Sequence, residues 1–391
     1  MSAVERTDGL NRSRFPGLAD GWVRADAPSG TQPVDTSIAA MQEYMASGDT
    51  ANMFGRYRAS EATAELVATA RRRVGELFGA PSDGVVFGPS MTALTFRLTH
   101  TLETSLGPGD RIVSTRLEHD ANVRPWALAA ERSGAEFALV DLNPETLELD
   151  GRSVIETINE RTRWVAIGAA SNALGTLNDL APVVRRAHSV GARVFVDAVA
   201  AAPHRPLDIA ELGIDVLACS AYKWFGPHVG ILCSTPALLA EVAPDRLATS
   251  PADPPASWEL GTLPLESLAG VIAAADYMRD VGFERIGAHE QALTEALAGG
   301  LAEIDGVRIF GKPARRIPTV FFNVRGVGPA DVTRALAERR IAATGGDVYA
   351  HELCMALGLD LEGAARLGFV HYSGLDDVER AVAAVAEIAA G

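Results

Sequence analysis

Apolar residues along the chain fall into short runs separated by amphipathic stretches. Seven runs have the length and β-branched content of strands: 84–88 (GVVFG), 111–115 (RIVST), 135–140 (AEFALV), 163–170 (RWVAIGAA), 193–198 (RVFVDA), 215–220 (DVLACS) and 229–233 (VGILC). Between the first five lie stretches with helical spacing, such as NDLAPVVRRAHSVG. Regular alternation of strand and helix predicts an α/β fold: a mostly parallel sheet of about seven strands with helices on both faces. Only AYKWFGPH separates the last two runs. That gap is too short for a parallel crossover, so these two are expected to pair antiparallel.

The pattern changes after the Pro-rich, irregular stretch SPADPPASWELGTLP. LESLAGVIAAADYMRDVG reads as a long helix, and beyond it come a helix, the strands GVRIF and TVFFNV, the helix PADVTRALAERR and a closing helix DDVERAVAAVAEIAAG. This is a smaller α+β domain. The chain is therefore expected to form a large domain over 20–275 and a small one from 276–391, onto which residues 1–19 fold back.

Composition narrows the picture. The chain has 391 residues, ample for two domains with a real core. A formal net charge of −15 argues against nucleic acid or an anionic membrane surface as a main partner. Cys219, Cys233 and Cys354 form no CxxC pair, which is a reduced, cytoplasmic pattern and not a disulfide framework. No apolar stretch is long enough to span a bilayer, and MSAVERTDGLNRSRF has no apolar core of the kind a signal peptide needs. His351-Glu352-Leu353-Cys354 lacks the second histidine of a zincin pattern, so no metal is expected.

One anomaly points to chemistry. Of 35 basic residues only Lys223 and Lys312 are lysines. Arginine replaces lysine wherever charge alone is needed, but not where a neutral amine must attack a carbonyl. Lys312, in FGKPARR beside a proline, reads as a solvated loop residue. Lys223 instead follows the apolar run DVLAC, at the carboxyl end of a strand, where open α/β sheets bind their ligands. Other polar residues share such positions: Asp197, Ser220, Ser90 and Thr92 with Met91 between them, His119, and Asn172. Pyridoxal phosphate would use them all. Lys223 would hold it as a Schiff base, and Asp197 would keep its pyridine nitrogen protonated. The helix start at Ser90, Met91 and Thr92, with Ser220 opposite, would bind its phosphate. His119 would stack on its ring. Singly, each residue has a plain structural explanation as a cap, turn or surface residue. The constellation carries the reading.

With those residues in place, the chain resembles the fold-type-I pyridoxal phosphate enzymes of aminotransferase class V, in the cysteine-desulfurase-like branch (SufS/NifS type). The likeness runs through FPGLADGW, APSGTQ (27–32), EHDANVRPW (118–126), SNALGT (171–176), VDAVAAAPHRPLDI (196–209), SAYKWFGPHVGIL (220–232), ELGTLPLESLAG (259–270) and RLGFVHYS (366–373). The resemblance implies that Asn172 lies near the cofactor's phenolic oxygen and the substrate carboxylate, and that Arg366 clamps that carboxylate. It also implies that Thr262 reaches the phosphate of a neighbouring subunit, making a homodimer. Three departures stand out. Tyr349 occupies the place of the desulfurases' nucleophilic cysteine, and Cys354 reads as helix core. Ala200 replaces a Gln or His that would touch the phenolic oxygen. Tyr222 replaces a histidine before the lysine and could still bond the phosphate. The expectation is an enzyme that forms a carbanion at Cα of an amino acid or its conjugate, with Lys223, His119 and Tyr349 as catalytic residues. β-Elimination (a C–S lyase) is the foremost outcome. An aminotransferase or epimerase is the alternative, and a cofactor-binding interaction protein is the non-enzyme one.

Overall fold

The computed structural model describes residues 9–391. Thirteen strands are present among them: β1 (Val23–Arg24), β2 (Val85–Gly88), β3 (Arg111–Thr115), β4 (Glu136–Val140), β5 (Thr162–Gly168), β6 (Arg193–Asp197), β7 (Val216–Ser220), β8 (Gly230–Ser234), β9 (Val307–Phe310), β10 (Thr319–Val324), β11 (Ile341–Ala342), β12 (Thr344–Gly346) and β13 (Ala364–Gly368). Seven of these form the central sheet in the order β2-β8-β7-β6-β5-β3-β4. All its pairings are parallel except those of β8, which runs antiparallel to both β2 and β7. The antiparallel pairing expected of the last two runs is thus present.

The strands are apolar on both faces, and the pleat sorts their residues into two cores. Val85, Phe87, Val165, Ile167, Val194, Val196, Leu217 and Ile231 point to one side. Their neighbours Val86, Trp164, Ala166, Phe195, Ala218 and Leu232 point to the other. Each face is closed by helices. The helix Met91–Leu102 buries Met91, Leu94, Thr95, Leu98 and Leu102, an i, i+3, i+4 stripe, on the second side. The long helix Leu265–Val281 packs against two helices, Asp35–Ala46 and Arg58–Phe78, neither of which the sequence reading identified as an element. It comes close because position 270 is glycine: a Cβ there would lie 2.9 Å from the Met41 side chain.

A second, four-stranded sheet of order β12-β13-β10-β9 is antiparallel throughout. Leu293, Leu297, Val320, Phe322, Leu367 and Val378 pack beneath it. The expected return of residues 1–19 onto this smaller domain falls partly outside the described residues. Of residues 9–19, Leu10, Phe15 and Leu18 join the core cluster of the large sheet, while Leu10 N donates to His371 O (2.7 Å) and Arg12 pairs with Asp377 (2.6 Å); just beyond the segment, Val23 and Ala25 join the core of the small sheet. There β1 pairs in parallel with β11. A further cluster, including Leu174, Phe310, Phe321, Val348 and Cys354, lies between the two sheets. Among the described residues no helix is long and apolar enough to cross a membrane.

Candidate active site

The carboxyl ends of β5, β6 and β7 reach one edge together, since Gly168 pairs with Asp197 and Asp197 with Ala218. Because β8 runs backwards, the end of β2 and the turn before β8 come to the same edge, with Gly88 opposite Gly230. A cleft of about 480 Å³ opens there. It is lined by Ser90, Met91, Thr92, His119, Asn172, Asp197, Ser220, Tyr222, Lys223, Tyr349 and Arg366. Of the residues proposed from sequence, only Thr262 stands apart, exposed before the helix Leu265–Val281.

Lys223 ends a short 3-10 turn, Ala221–Lys223, that leaves β7. Its amine donates to the Pro28 carbonyl and lies 5.1 Å from the Tyr222 ring centre. Burial, and then the positive charge of Arg366, push it down from 10.5 to about 7, against the pull of Asp197. Asp197 is buried and pushed up to about 6, restrained by the Val199 N–H (2.9 Å to Oδ1) and by Lys223. Burial and the two nearby cations push His119 down to about 4. Its Nδ1 accepts from the Ala121 N–H (3.0 Å), which leaves the ring proton on Nε2.

The helix Met91–Leu102 begins at the cleft, so its unpaired N–H groups face the cavity. Ser90 caps it by accepting from Ala93 N (3.1 Å), and Ser220 Oγ accepts from Met91 N (3.1 Å). Strand β8 can pass beneath this turn because position 230 has no side chain: a Cβ there would sit 2.2 Å from the Ser90 carbonyl carbon.

Arg366 is on β13, and the pleat that sends Ala365 and Leu367 into the core beneath the four-stranded sheet turns it towards the cleft. Nη1 donates to Asn172 O (2.8 Å), Nη2 to Ser29 Oγ (2.7 Å) and Nε to Thr344 Oγ1 (3.2 Å). Three of the five guanidinium N–H groups are thereby used and two remain. Burial lowers it to about 10, so it stays charged at neutral pH. Asn172 gives its amide N–H to Val348 O (2.7 Å), while its Oδ1 is buried without a partner. Tyr349 stands at the mouth, exposed, at a left-handed φ of 59°. Its ring stacks on His119 with centroids 5.3 Å apart. Among the described residues no cysteine lines the cleft. Cys354 is fully buried on the helix His351–Ala356, its thiol 3.7 Å from Asp347 O.

Sequence reasoning assigned no role to Glu118, Ser29 or Thr344. Glu118 is a buried carboxyl on the cleft wall, bonded by Thr115 Oγ1 and Asn122 Nδ2 (2.7 Å each). Burial lifts it from 4.5 to about 8, so it carries a proton at neutral pH. Its place just after an apolar strand and beside His119 was the available signal. Ser29 and Thr344 left none, because they matter only through Arg366.

A family model described as aminotransferase class-V matches residues 24–381. The chain belongs to that family. Among its relatives, an uncharacterized protein of Mycobacterium tuberculosis is 32% identical over 98% of this chain and 99% of its own. A probable cysteine desulfurase of Streptomyces coelicolor is 34% identical over 83% of this chain and 81% of its own. The crystal structure of the Escherichia coli cysteine desulfurase CsdA superposes with a TM-score of 0.87 at 27% identity, covering 96% of each chain. This class-V chain is a pyridoxal-phosphate-dependent enzyme of fold type I. The cleft fits the cofactor: it offers a buried amine depressed towards neutrality, a buried carboxylate, a helix start with hydroxyls, and an unpartnered amide oxygen on Asn172.

Proposed function

We propose that this class-V enzyme eliminates a β-substituent, foremost a thiol, from an amino acid or amino-acid conjugate, without passing sulfur to a cysteine of its own. Lys223 holds the cofactor, and its freed amine takes the substrate's α-proton. Asp197 pairs the pyridine nitrogen. Ser90, Met91, Thr92, Ser220 and Tyr222 hold the phosphate, and His119 covers the ring. When bound, the cofactor supplies the electron sink for charge left at the α-carbon. The two remaining N–H groups of Arg366 bind the substrate carboxylate in two-pronged geometry, with Asn172 beside it. Tyr349, above His119 and open to solvent, gives a proton to the departing thiolate as the C–S bond breaks, and recovers one from water.

The observation that supports this reading is the mouth of the cleft, where Tyr349 stands and from which Cys354 is withdrawn into the core. The enzyme should release pyruvate and free thiol from S-alkyl-L-cysteines, and Lys223→Ala should abolish both. L-Cysteine should leave no sulfur adduct on Cys354 by mass spectrometry; such an adduct would sink the proposal. Conversion of glutamate to its keto acid would make the protein an aminotransferase, and inversion at the α-carbon an epimerase. A visible spectrum that no amino acid alters would overturn the assignment of an amino-acid substrate. We further propose a cytoplasmic homodimer, supported by three free, buried cysteines and by the exposed apolar side chains of Phe54, Tyr57, Leu247 and Leu260. Sedimentation of a monomer would refute the dimer.

A further inference from the structure

A second cavity, of about 760 Å³, lies on the small domain between the helix Phe283–Ala302, β9 and the segment 311–316. Four cations line it: Arg205, Lys312, Arg315 and Arg316. The chain has 50 acidic residues against 35 basic ones, and its other buried or half-buried arginines are commonly paired, as Arg71 is with Glu259 (2.7 Å) and Arg12 with Asp377 (2.6 Å). None of these four has a carboxylate within ion-pair distance among the described residues; Arg316 Nη2 donates only to the Gly311 carbonyl (3.4 Å). Arg316 is the most telling: its Nε is buried without a partner, and burial lowers its affinity for the proton. The only carboxylate on the wall among the described residues, Glu295, is held by Gln291 Nε2 (2.6 Å). Between the cations the floor is apolar, made by Ala298, Ala302, Val307 and Ile309.

Four unpaired cations around an apolar floor call for an occupant that brings both carboxylates and aliphatic side chains. A free anion would leave the floor wet, and a nucleic acid backbone would meet the repulsion of a chain with net charge −15. We propose that this groove docks an acidic, amphipathic segment of a partner protein. The docked segment would lie against the strap 311–317. That strap is bonded to the Asn172 loop: Leu177 N donates to Arg315 O (3.0 Å) and Ile317 N to Gly175 O (2.9 Å). A partner held here is therefore placed beside the loop that carries a wall of the catalytic cleft. The proposal does not depend on which reaction the cleft performs.

The test uses the full-length holoenzyme and a fluorescein-labelled amphipathic peptide with glutamates on one face and leucines on the other, read by anisotropy. Binding should saturate, and should weaken at least about tenfold in Lys312→Glu/Arg315→Glu and in raised salt. Both side chains are exposed, so the cofactor's visible spectrum should be unchanged and certifies folding. Replacing the peptide's glutamates by glutamine should abolish binding. No saturable binding, or equal affinity for the charge-reversed protein, overturns the proposal. A single-stranded RNA that binds more tightly than the peptide overturns the assignment to a protein partner.

Discussion

Only two amines on lysine side chains exist in this chain, and they lie in different surroundings: Lys223 deep in the cleft, Lys312 exposed in the basic groove. This permits a direct test of the electrostatics at Lys223. Burial strips the ammonium of water, and Arg366 repels it, so the amine sheds its proton near pH 7 in place of 10.5. At pH 7.5 about three-quarters of the Lys223 amines are then neutral, against roughly one in a thousand for an ordinary lysine. The cofactor-free chain should be pulsed with acetic anhydride across a pH series and the two lysines quantified by peptide mapping. Restricted access of the reagent lowers the labelling rate of Lys223 at every pH but leaves its midpoint where the electrostatics set it, near 7. The neighbours should move it in opposite directions. Arg366→Met removes a repulsion and should raise the midpoint; Asp197→Asn removes an attraction and should lower it. A midpoint near 10, or both variants shifting the same way, refutes the reasoning.

Other expectations follow from the same geometry. Arg366→Lys keeps a positive charge but loses the fork, so substrate carboxylate binding should weaken by about 3 kcal/mol, roughly a hundredfold in KM, with the cofactor retained; cofactor loss with an unchanged KM would place the residue elsewhere. Glu118 keeps its proton to about pH 8 in the folded chain but to only 4.5 when unfolded. The folded state binds the extra proton, so its contribution to stability falls as pH rises through that window and levels off above it. Glu118→Gln should therefore melt above the parent at pH 9, with the gap closing near pH 5; a pH-independent difference contradicts this. Arg71 pairs with the buried Glu259, which also accepts from Phe87 N (2.9 Å). Arg71→Leu should cost about 3–5 kcal/mol in urea unfolding by stranding that carboxylate, and Arg71→Leu/Glu259→Leu should recover much of it.

What could be read from the sequence follows from where burial is complete. Strands β2, β3 and β5 to β8 are buried along most of their length, so they read as short apolar runs, and the polar residues that close those runs were the natural candidates for the site. The helix Asp35–Ala46 escaped because Ser37 is its one buried residue and it packs by close approach at Gly270, where a stripe of large apolar side chains would not fit. Strand β12 is Thr-Gly-Gly and has no strand signature; only its pairing with β13 defines it. The same division runs through the site. Asp197 closes β6 and Lys223 ends the short turn that leaves β7, so both stand out at the end of an apolar run. The setting of Arg366 is assembled from Ser29, Asn172 and Thr344, which are far apart in sequence and brought together by three separate segments. A sequence can name a residue that acts. It names its supports only when they are neighbours along the chain, and here the supports decide how many N–H groups of Arg366 stay free.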